Sequence, residues 1–232
     1  EITDIAGSEA DSIWVTSNNG GAAQFRLADR EIASVRNWGG AATGGLTTDN
    51  VYGVVTDADG SVWFATAVGV YRYQPWAFQE VGERLDSLPV NDLLFDRLGN
   101  LWVATAGEGI QVHSQRYRQP AQHFMDSNGL PGGIVYALHE DESGRIWAAT
   151  SRGVSYYEGQ RWYQPLSLRN LQLSPASKLR SDSVGIWIGT PHGVHRFRFA
   201  DQSVIVEAPT QGEPINTLEF DSIGRLWVAG AS

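Results

Sequence analysis

NVYGVVTDADGSVWFAT, residues 50–66, is the stretch that decides the fold. Its two ends are rich in β-branched and aromatic residues, which favour strands, and Asp59-Gly60 between them is a strong hairpin signal. Residues 70–73 alternate apolar and polar side chains, which predicts a third strand, and a fourth is expected around residues 78–81. The stretch therefore predicts one antiparallel unit of four strands.

The tryptophan of this stretch recurs through the chain at intervals of roughly 40 residues, a period typical of β-propellers built from short strands. The recurring residues are Trp14, Trp63, Trp102, Trp147, Trp187 and Trp227. We predict an all-β propeller of four-stranded antiparallel blades, with five full repeats and a partial sixth, as one segment of a larger propeller. It is treated as a single domain, with repeats at about 1–42, 43–84, 85–126, 127–167, 168–209 and 210–232.

The second strand of each unit is apolar almost without alternation, which predicts that both of its faces are covered. The tryptophan would then fill the space between blades, and its indole N–H would need an acceptor. A hydroxyl follows three residues after most of these tryptophans, and we expect it to bond backbone groups between strands. These residues are Ser17, Thr66, Thr105, Thr150 and Thr190. Three further tryptophans, Trp38, Trp76 and Trp162, are expected to pack on outer strands.

Composition and charge exclude several classes of function. The formal net charge of −9 repels phosphate backbones, so nucleic acid is not an expected partner. Cysteine is absent, which excludes thiol chemistry, disulfides and cysteine-ligated metals. No apolar run is long enough to span a bilayer, and the chain opens on Glu1 without a secretory signal. From this we expect either a cytoplasmic protein or a piece of a longer one.

The fourth unit carries the clearest family pattern. It reads NGLP (128–131), VYALHED (135–141), GRIWAAT (144–150) and GVSYY (153–157). This pattern resembles the two-component regulator propeller repeat. Residues 46–73 and 88–112 match it nearly as well, whereas the unit around Trp187 departs from it at residues 170–182.

The resemblance implies an extracytoplasmic, periplasmic sensor segment of a bacterial transmembrane signalling protein. Such proteins carry a membrane helix and a cytoplasmic histidine kinase or diguanylate cyclase, and their ligands are often oligosaccharides. The segment itself is then not expected to be an enzyme or to contact the membrane.

Loops that enter the first strand and leave the second strand of each blade should meet at one mouth of the propeller. Their side chains mix amides, carboxylates, an arginine and aromatic rings, which suits hydrogen bonding and ring stacking with a polar small molecule or glycan. The candidate ligand-binding residues are Asn19, Asn50, Tyr52, Asn91, Asp92, Glu108, Tyr136, Arg152, His192 and Asn216. No catalytic residue, cofactor or metal ligand is predicted.

Two alternatives to the sensor remain open. The first is a propeller lyase of the streptogramin-inactivating kind, which needs a metal-assisted pair of His and Glu, and Glu108 with His192 is the pair we nominate. The second is a scaffold for protein–protein contact or for a homodimer, which a large exposed apolar patch would favour.

Overall fold

The structure is a computed structural model that describes residues 2–8, 12–29, 31–39, 45–74, 77–81, 88–114, 120–169, 171–174, 177–207, 210 and 212–230. Almost all regular structure in these ranges is β. The strands are β1 Ile2–Ser8, β2 Ser12–Ser17, β3 Gly21–Ala28, β4 Glu31–Trp38, β5 Val51–Thr56, β6 Val62–Thr66, β7 Gly69–Gln74, β8 Ala77–Glu80, β9 Val90–Phe95, β10 Leu101–Thr105, β11 Ile110–His113, β12 Pro120–Phe124, β13 Val135–Glu140, β14 Ile146–Thr150, β15 Gly153–Glu158, β16 Arg161–Tyr163, β17 Leu179–Ser181, β18 Gly185–Thr190, β19 Gly193–Arg198, β20 Val204–Val206, β21 Ile215–Phe220 and β22 Leu226–Gly230.

Two short 3-10 turns, Asp126–Asn128 and Leu166–Leu168, lie in the described ranges. Within those ranges the structure therefore offers no helix with the length and apolarity that crossing a bilayer requires.

Consecutive strands form six sheets in chain order. Sheets 1 to 5 have four strands each, β1–β4, β5–β8, β9–β12, β13–β16 and β17–β20, and sheet 6 pairs β21 with β22. Each strand lies beside its neighbour in sequence, so every sheet is a simple meander. This arrangement confirms the predicted repeat of four-stranded antiparallel units, five complete and a sixth of two strands.

The chain divides into two compact units: unit 1 is Glu1–Val103 with Val112–Gln122, and unit 2 is Ala104–Gln111 with His123–Ser232. In unit 1 the core gathers around Trp14 and Trp63, which are almost completely buried. In unit 2 the largest core cluster surrounds Trp147, which is also fully buried. In each cluster, aliphatic side chains pack around one or more large aromatic rings.

The prediction that the second strand is covered on both faces is confirmed in the interior sheets. Every residue of β6, β10 and β14 is buried. In β22 the same apolar pattern is largely exposed, and Trp227 is 61% exposed. Sheet 6 packs against Val194 through Ile215 and Leu218, so only part of its surface is covered.

The acceptor for the indole N–H is an aspartate in the preceding hairpin turn. Its Oδ2 accepts the indole N–H, and its Oδ1 accepts backbone N–H groups of the turn. The five indole-to-carboxylate bonds are Trp63–Asp57 at 2.8 Å, Trp102–Asp96 at 2.8 Å, Trp147–Asp141 at 2.7 Å, Trp187–Asp182 at 2.9 Å and Trp227–Asp221 at 2.9 Å. One carboxylate thus shapes the turn and fixes the orientation of the core indole.

Trp38 and Trp162 pack against other aromatic rings, as expected. Trp38 lies 5.7 Å from Tyr73, and Trp162 lies 5.6 Å from Phe124 and 5.4 Å from Tyr157. Trp76 lies outside the described residues.

Candidate functional site

Threonine hydroxyls fix the loops that leave the second strands, as the sequence predicts. Thr150 Oγ1 donates to the carbonyl of Gly153 at 2.9 Å and accepts the N–H of Arg152 at 3.2 Å. Thr66, Thr105 and Thr190 make the same pair of bonds in their own sheets. The backbones of three candidate residues, Glu108, Arg152 and His192, are therefore held by a buried hydroxyl.

The first strands of four sheets contain a β-bulge near their start. In β5, Val51 pairs with Thr66 and Gly53 with Ala65, so Tyr52 is an extra residue. The same shift makes Thr3, Tyr136 and Asn216 the extra residues of β1, β13 and β21. Bulges redirect side chains and are frequent beside functional sites. Three of the candidate residues, Tyr52, Tyr136 and Asn216, thus occupy bulges.

In unit 1 the structure brings Asn19 and Asn50 together. The backbone N–H of Asn19 donates to Asn50 Oδ1 at 3.1 Å, and Asn19 has a positive φ of 67°, which asparagine tolerates. The carbonyl of Asn50 accepts the N–H of Ala67 from the loop of its own sheet at 3.1 Å. Asn50 therefore connects the loops of sheets 1 and 2, which gives its side chain a structural role.

Two carboxylates flank the backbone of Gly53 in unit 1. A Cβ on Gly53 would lie 3.5 Å from Asp92 Oδ1 and 3.6 Å from Asp4 Oδ2. Asp4 Oδ2 accepts the N–H of Val54 at 3.0 Å, and Asp92, only 8% exposed, accepts the N–H of Leu93 at 3.0 Å. We call Asp4, Tyr52, Gly53 and Asp92 the Gly53 cluster. The sequence reasoning found Tyr52 and Asp92 but missed Asp4.

Asn91 stands directly before Asp92 on β9 and is partly buried. It therefore lies one residue from the Gly53 cluster, on the same strand as Asp92.

In unit 2 three of the candidate residues have a local partner. The guanidinium of Arg152 pairs with Asp126 at 3.1 Å, and His192 Nε2 donates to Gln172 Oε1 at 2.6 Å. The carbonyl of Glu108 accepts a hydrogen bond from His123 Nε2 at 2.6 Å. Asp126 and Gln172 lie in connecting segments that the sequence reasoning did not consider.

No hydrogen bond joins any two of Glu108, Tyr136, Arg152, His192 and Asn216, all of which the structure describes. The described ranges also contain no cluster of three histidine, aspartate or glutamate side chains that could hold a metal ion. The pair that a metal-assisted lyase requires, Glu108 with His192, is thus not joined by a contact.

Three stretches of the chain match a known family model. A family model described as a two component regulator propeller matches residues 45–67, 84–107 and 129–152, which lie in three of the units quoted above. No curated protein matches the sequence.

Solved structures share the fold across almost the whole chain. The extracellular domain of the hybrid two component system BT4673 from B. thetaiotaomicron has a TM-score of 0.82 at 18% identity, covering 99% of this chain and 34% of that one. The corresponding domain of BT3049 from the same organism has a TM-score of 0.76 at 20% identity, covering 98% and 31%. Virginiamycin B lyase from Staphylococcus aureus has a TM-score of 0.69 at 12% identity, covering 98% and 76%.

The chain spans about a third of the length of the two extracellular domains. At these identities the similarity establishes the fold, while the family model matches three of the repeats. The chain is therefore a segment with the fold of a β-propeller, and three of its units are similar to two-component regulator propeller repeats.

Proposed function

We propose that the chain is a non-enzymatic sensor segment that binds a polar small molecule or glycan at the Gly53 cluster. The proposal fits a segment in the extracytoplasmic part of a bacterial signalling protein. Its support is the family of the repeats and the similarity to extracellular domains of two-component systems. A homodimer, and the lack of contact with nucleic acid or membrane, stay predictions from sequence.

The observation that carries the proposal is the pair of carboxylates beside a glycine. Because Gly53 has no side chain, Asp4 Oδ2 and Asp92 Oδ1 both approach its backbone closely, and a Cβ there would touch both oxygens and the Cβ of Ala65. Carboxylate oxygens accept hydrogen bonds from hydroxyl groups, which sugars supply in pairs. Tyr52 stands next to Gly53 on the bulge of β5 and adds an aromatic ring of the kind that stacks on ligands.

Isothermal titration of the chain with a panel of neutral oligosaccharides and polar metabolites tests this assignment. We expect one class of ligand to bind, and Asp92→Asn or Tyr52→Leu to weaken that binding by about tenfold, roughly the effect of one lost charged hydrogen bond. Asp29→Asn is the matched control, because Asp29 lies in an exposed turn at a positive φ of 51° that asparagine also adopts.

The proposal fails if no member of the panel binds, or if Asp92→Asn and Asp29→Asn bind the ligand equally well.

The lyase alternative has no supporting contact among the described residues, because the ring of His192 is hydrogen-bonded to Gln172 and no hydrogen bond joins His192 to Glu108.

A further inference from the structure

A groove within unit 2 is lined by none of the candidate residues considered above. It has a volume of about 290 Å³ and is formed by side chains of sheets 4 and 5 and the segment that follows β16. The residues that matter to its chemistry are Arg145, Tyr156, Tyr163, Gln164, Phe199 and Gln202. We call this the Arg145 groove. Its volume suits a ligand of about one ring, at the lower end of small-molecule sites.

Arg145 is held in place but keeps unused donors. Its Nε donates to Asp141 Oδ2 at 2.7 Å, and the guanidinium lies 4.5 Å from the centroid of Phe199 and 5.4 Å from that of Tyr156. Within the described residues, the bond from Nε is the one hydrogen bond that the Arg145 side chain makes. The side chain is 21% exposed. The two terminal amino groups therefore offer a fixed fork of N–H donors, which matches the two oxygens of a carboxylate.

Two tyrosines form an aromatic wall of the groove. The rings of Tyr156 and Tyr163 are nearly parallel, with centroids 5.3 Å apart and planes inclined by 21°. Tyr163 is 43% exposed, so part of its ring remains open to a ligand. Burial, reinforced by the charge of Glu158, raises the pKa of Tyr156, so its hydroxyl stays protonated at neutral pH.

The walls are fastened to one another without a ligand. Ser167 Oγ donates to the carbonyl of Gln202 at 2.7 Å, which ties the segment after β16 to the turn between β19 and β20. Gln164 Nε2 donates to the carbonyl of Arg152 at 2.8 Å, which leaves its Oε1 as an acceptor. A site whose walls are held in this way loses little entropy when a ligand binds.

Sheet 6 contains an internal comparison. Arg225 makes the same bond to its turn aspartate, Asp221, at 2.6 Å, and lies 5.6 Å from the ring of Trp227. Its side chain is 65% exposed, and among the described residues the ring that it contacts is that of Trp227. The arginine–aspartate–tryptophan unit therefore forms without the enclosing rings of Tyr156 and Phe199. Those rings are a feature of the Arg145 groove rather than of the repeat.

We propose that the Arg145 groove binds a small monocarboxylate attached to a six-membered ring. The carboxylate accepts hydrogen bonds from the terminal nitrogens of Arg145, and the ring packs against Tyr163. A ring hydroxyl, where present, donates to Gln164 Oε1. An aromatic acid and a uronic acid both carry a carboxylate on a six-membered ring, and the titrations below distinguish the two.

Titration of the chain with benzoate, D-glucuronate and neutral D-glucose, followed by isothermal calorimetry, is the test. We expect at least one acid to bind and glucose to bind at least tenfold more weakly. Binding of benzoate alone identifies an aromatic acid, binding of glucuronate alone identifies a sugar acid, and binding of both supports the shared chemistry.

Three variants locate the site. Arg145→Gln and Tyr163→Ala are each expected to weaken binding of the acid at least tenfold, while Arg225→Gln leaves it unchanged because Arg225 lies in sheet 6. Near-ultraviolet circular dichroism checks that each variant is folded. If Arg145→Gln does not fold, Tyr163→Ala still tests the site, because Tyr163 is exposed. The proposal is overturned if neither acid binds, if glucose binds as well as the acid that binds, or if Tyr163→Ala and Arg225→Gln bind that acid equally.

Discussion

Asp141 and Trp147 are joined by a hydrogen bond of 2.7 Å that links a hairpin turn to the core of unit 2. The side chain of Asp141 is 2% exposed, and it also accepts hydrogen bonds from Ser143 and Arg145. Burial opposes its ionisation, but the bonds from Ser143, Trp147 and Arg145 outweigh burial and lower the pKa of Asp141. The ionised carboxylate is thus part of the folded structure.

Asp141→Ala is expected to lower the free energy of unfolding by about 3 kcal/mol, because it removes charged hydrogen bonds and leaves the indole N–H buried without its acceptor. Urea denaturation followed by tryptophan fluorescence measures the loss. Asp221→Ala serves as the control and should cost less, since Trp227 is 61% exposed and water can replace the lost acceptor. Equal losses in the two variants would contradict this account.

His139 should make stability depend on pH below neutrality. Burial first, and the charge of Arg180 second, lower its pKa from 6.5 to about 4, against the opposing charges of Asp141 and Glu219. Since the unfolded chain binds the proton first, the contribution of His139 is complete above pH 6.5 and is lost as pH falls towards 4. The full effect is on the order of 3 kcal/mol.

His139→Gln tests this and should flatten the fall in unfolding free energy between pH 6.5 and 4, measured by urea denaturation at each pH. Glutamine retains a partner for Ser181 Oγ, which lies 2.8 Å from His139 Nε2. Burial also lowers the pKa values of His113 and His195, so part of the slope is expected to remain. An unchanged slope in the variant would show that His139 does not carry the effect.

Thr150→Val should destabilise the loop between β14 and β15 by about 2 kcal/mol, because valine keeps the shape but loses both hydrogen bonds of the hydroxyl. Amide hydrogen exchange at Arg152 is the direct readout, and it should become faster. Thr150→Ser keeps the hydroxyl and should retain most of the protection. If Thr150→Ser loses as much protection as Thr150→Val, the two hydrogen bonds of the hydroxyl do not account for the effect.

Gly109→Ala should be far more disruptive than Gly60→Ala, although both glycines have positive φ, 71° and 85°. A Cβ on Gly109 would collide with the carbonyl oxygen of Phe124, whereas a Cβ on Gly60 meets nothing within 4 Å. We expect Gly60→Ala to cost about 1 kcal/mol from backbone strain alone. Thermal melting of the two variants compares them, and similar midpoints would mean that strain outweighs the collision.

The sheets could be predicted because each repeats a signal that acts locally. A tryptophan within an apolar run and an Asp-Gly turn before it define the hairpin around Trp63 without reference to distant residues. The acceptor of the indole could also have been found, because an aspartate stands six residues before most of these tryptophans. Asp57 also belongs to the hairpin turn, so the turn explains this aspartate without reference to the indole.

The bulges and the sites could not be predicted in the same way. The strand around Tyr52 is apolar on both faces, so it contains no alternation that one extra residue would interrupt. Asp4 and Asp92 both approach Gly53 because β1, β5 and β9 lie side by side. In the same way, the ring of Phe199, which belongs to another sheet, lies beside the guanidinium of Arg145. Such contacts depend on packing between sheets, which the spacing of residues along the chain does not report.

The bulges have a consequence for how recognition could diversify. The extra residues of three bulges are Tyr52, Tyr136 and Asn216. None of them is paired with a residue on the neighbouring strand, so no side chain there has to match its size. A substitution at Tyr52 or Asn216 can therefore alter surface chemistry while the pairing of its sheet is preserved, whereas Tyr136 also packs against the core around Trp147. A lineage of such proteins could exchange specificities one position at a time, with little cost to folding.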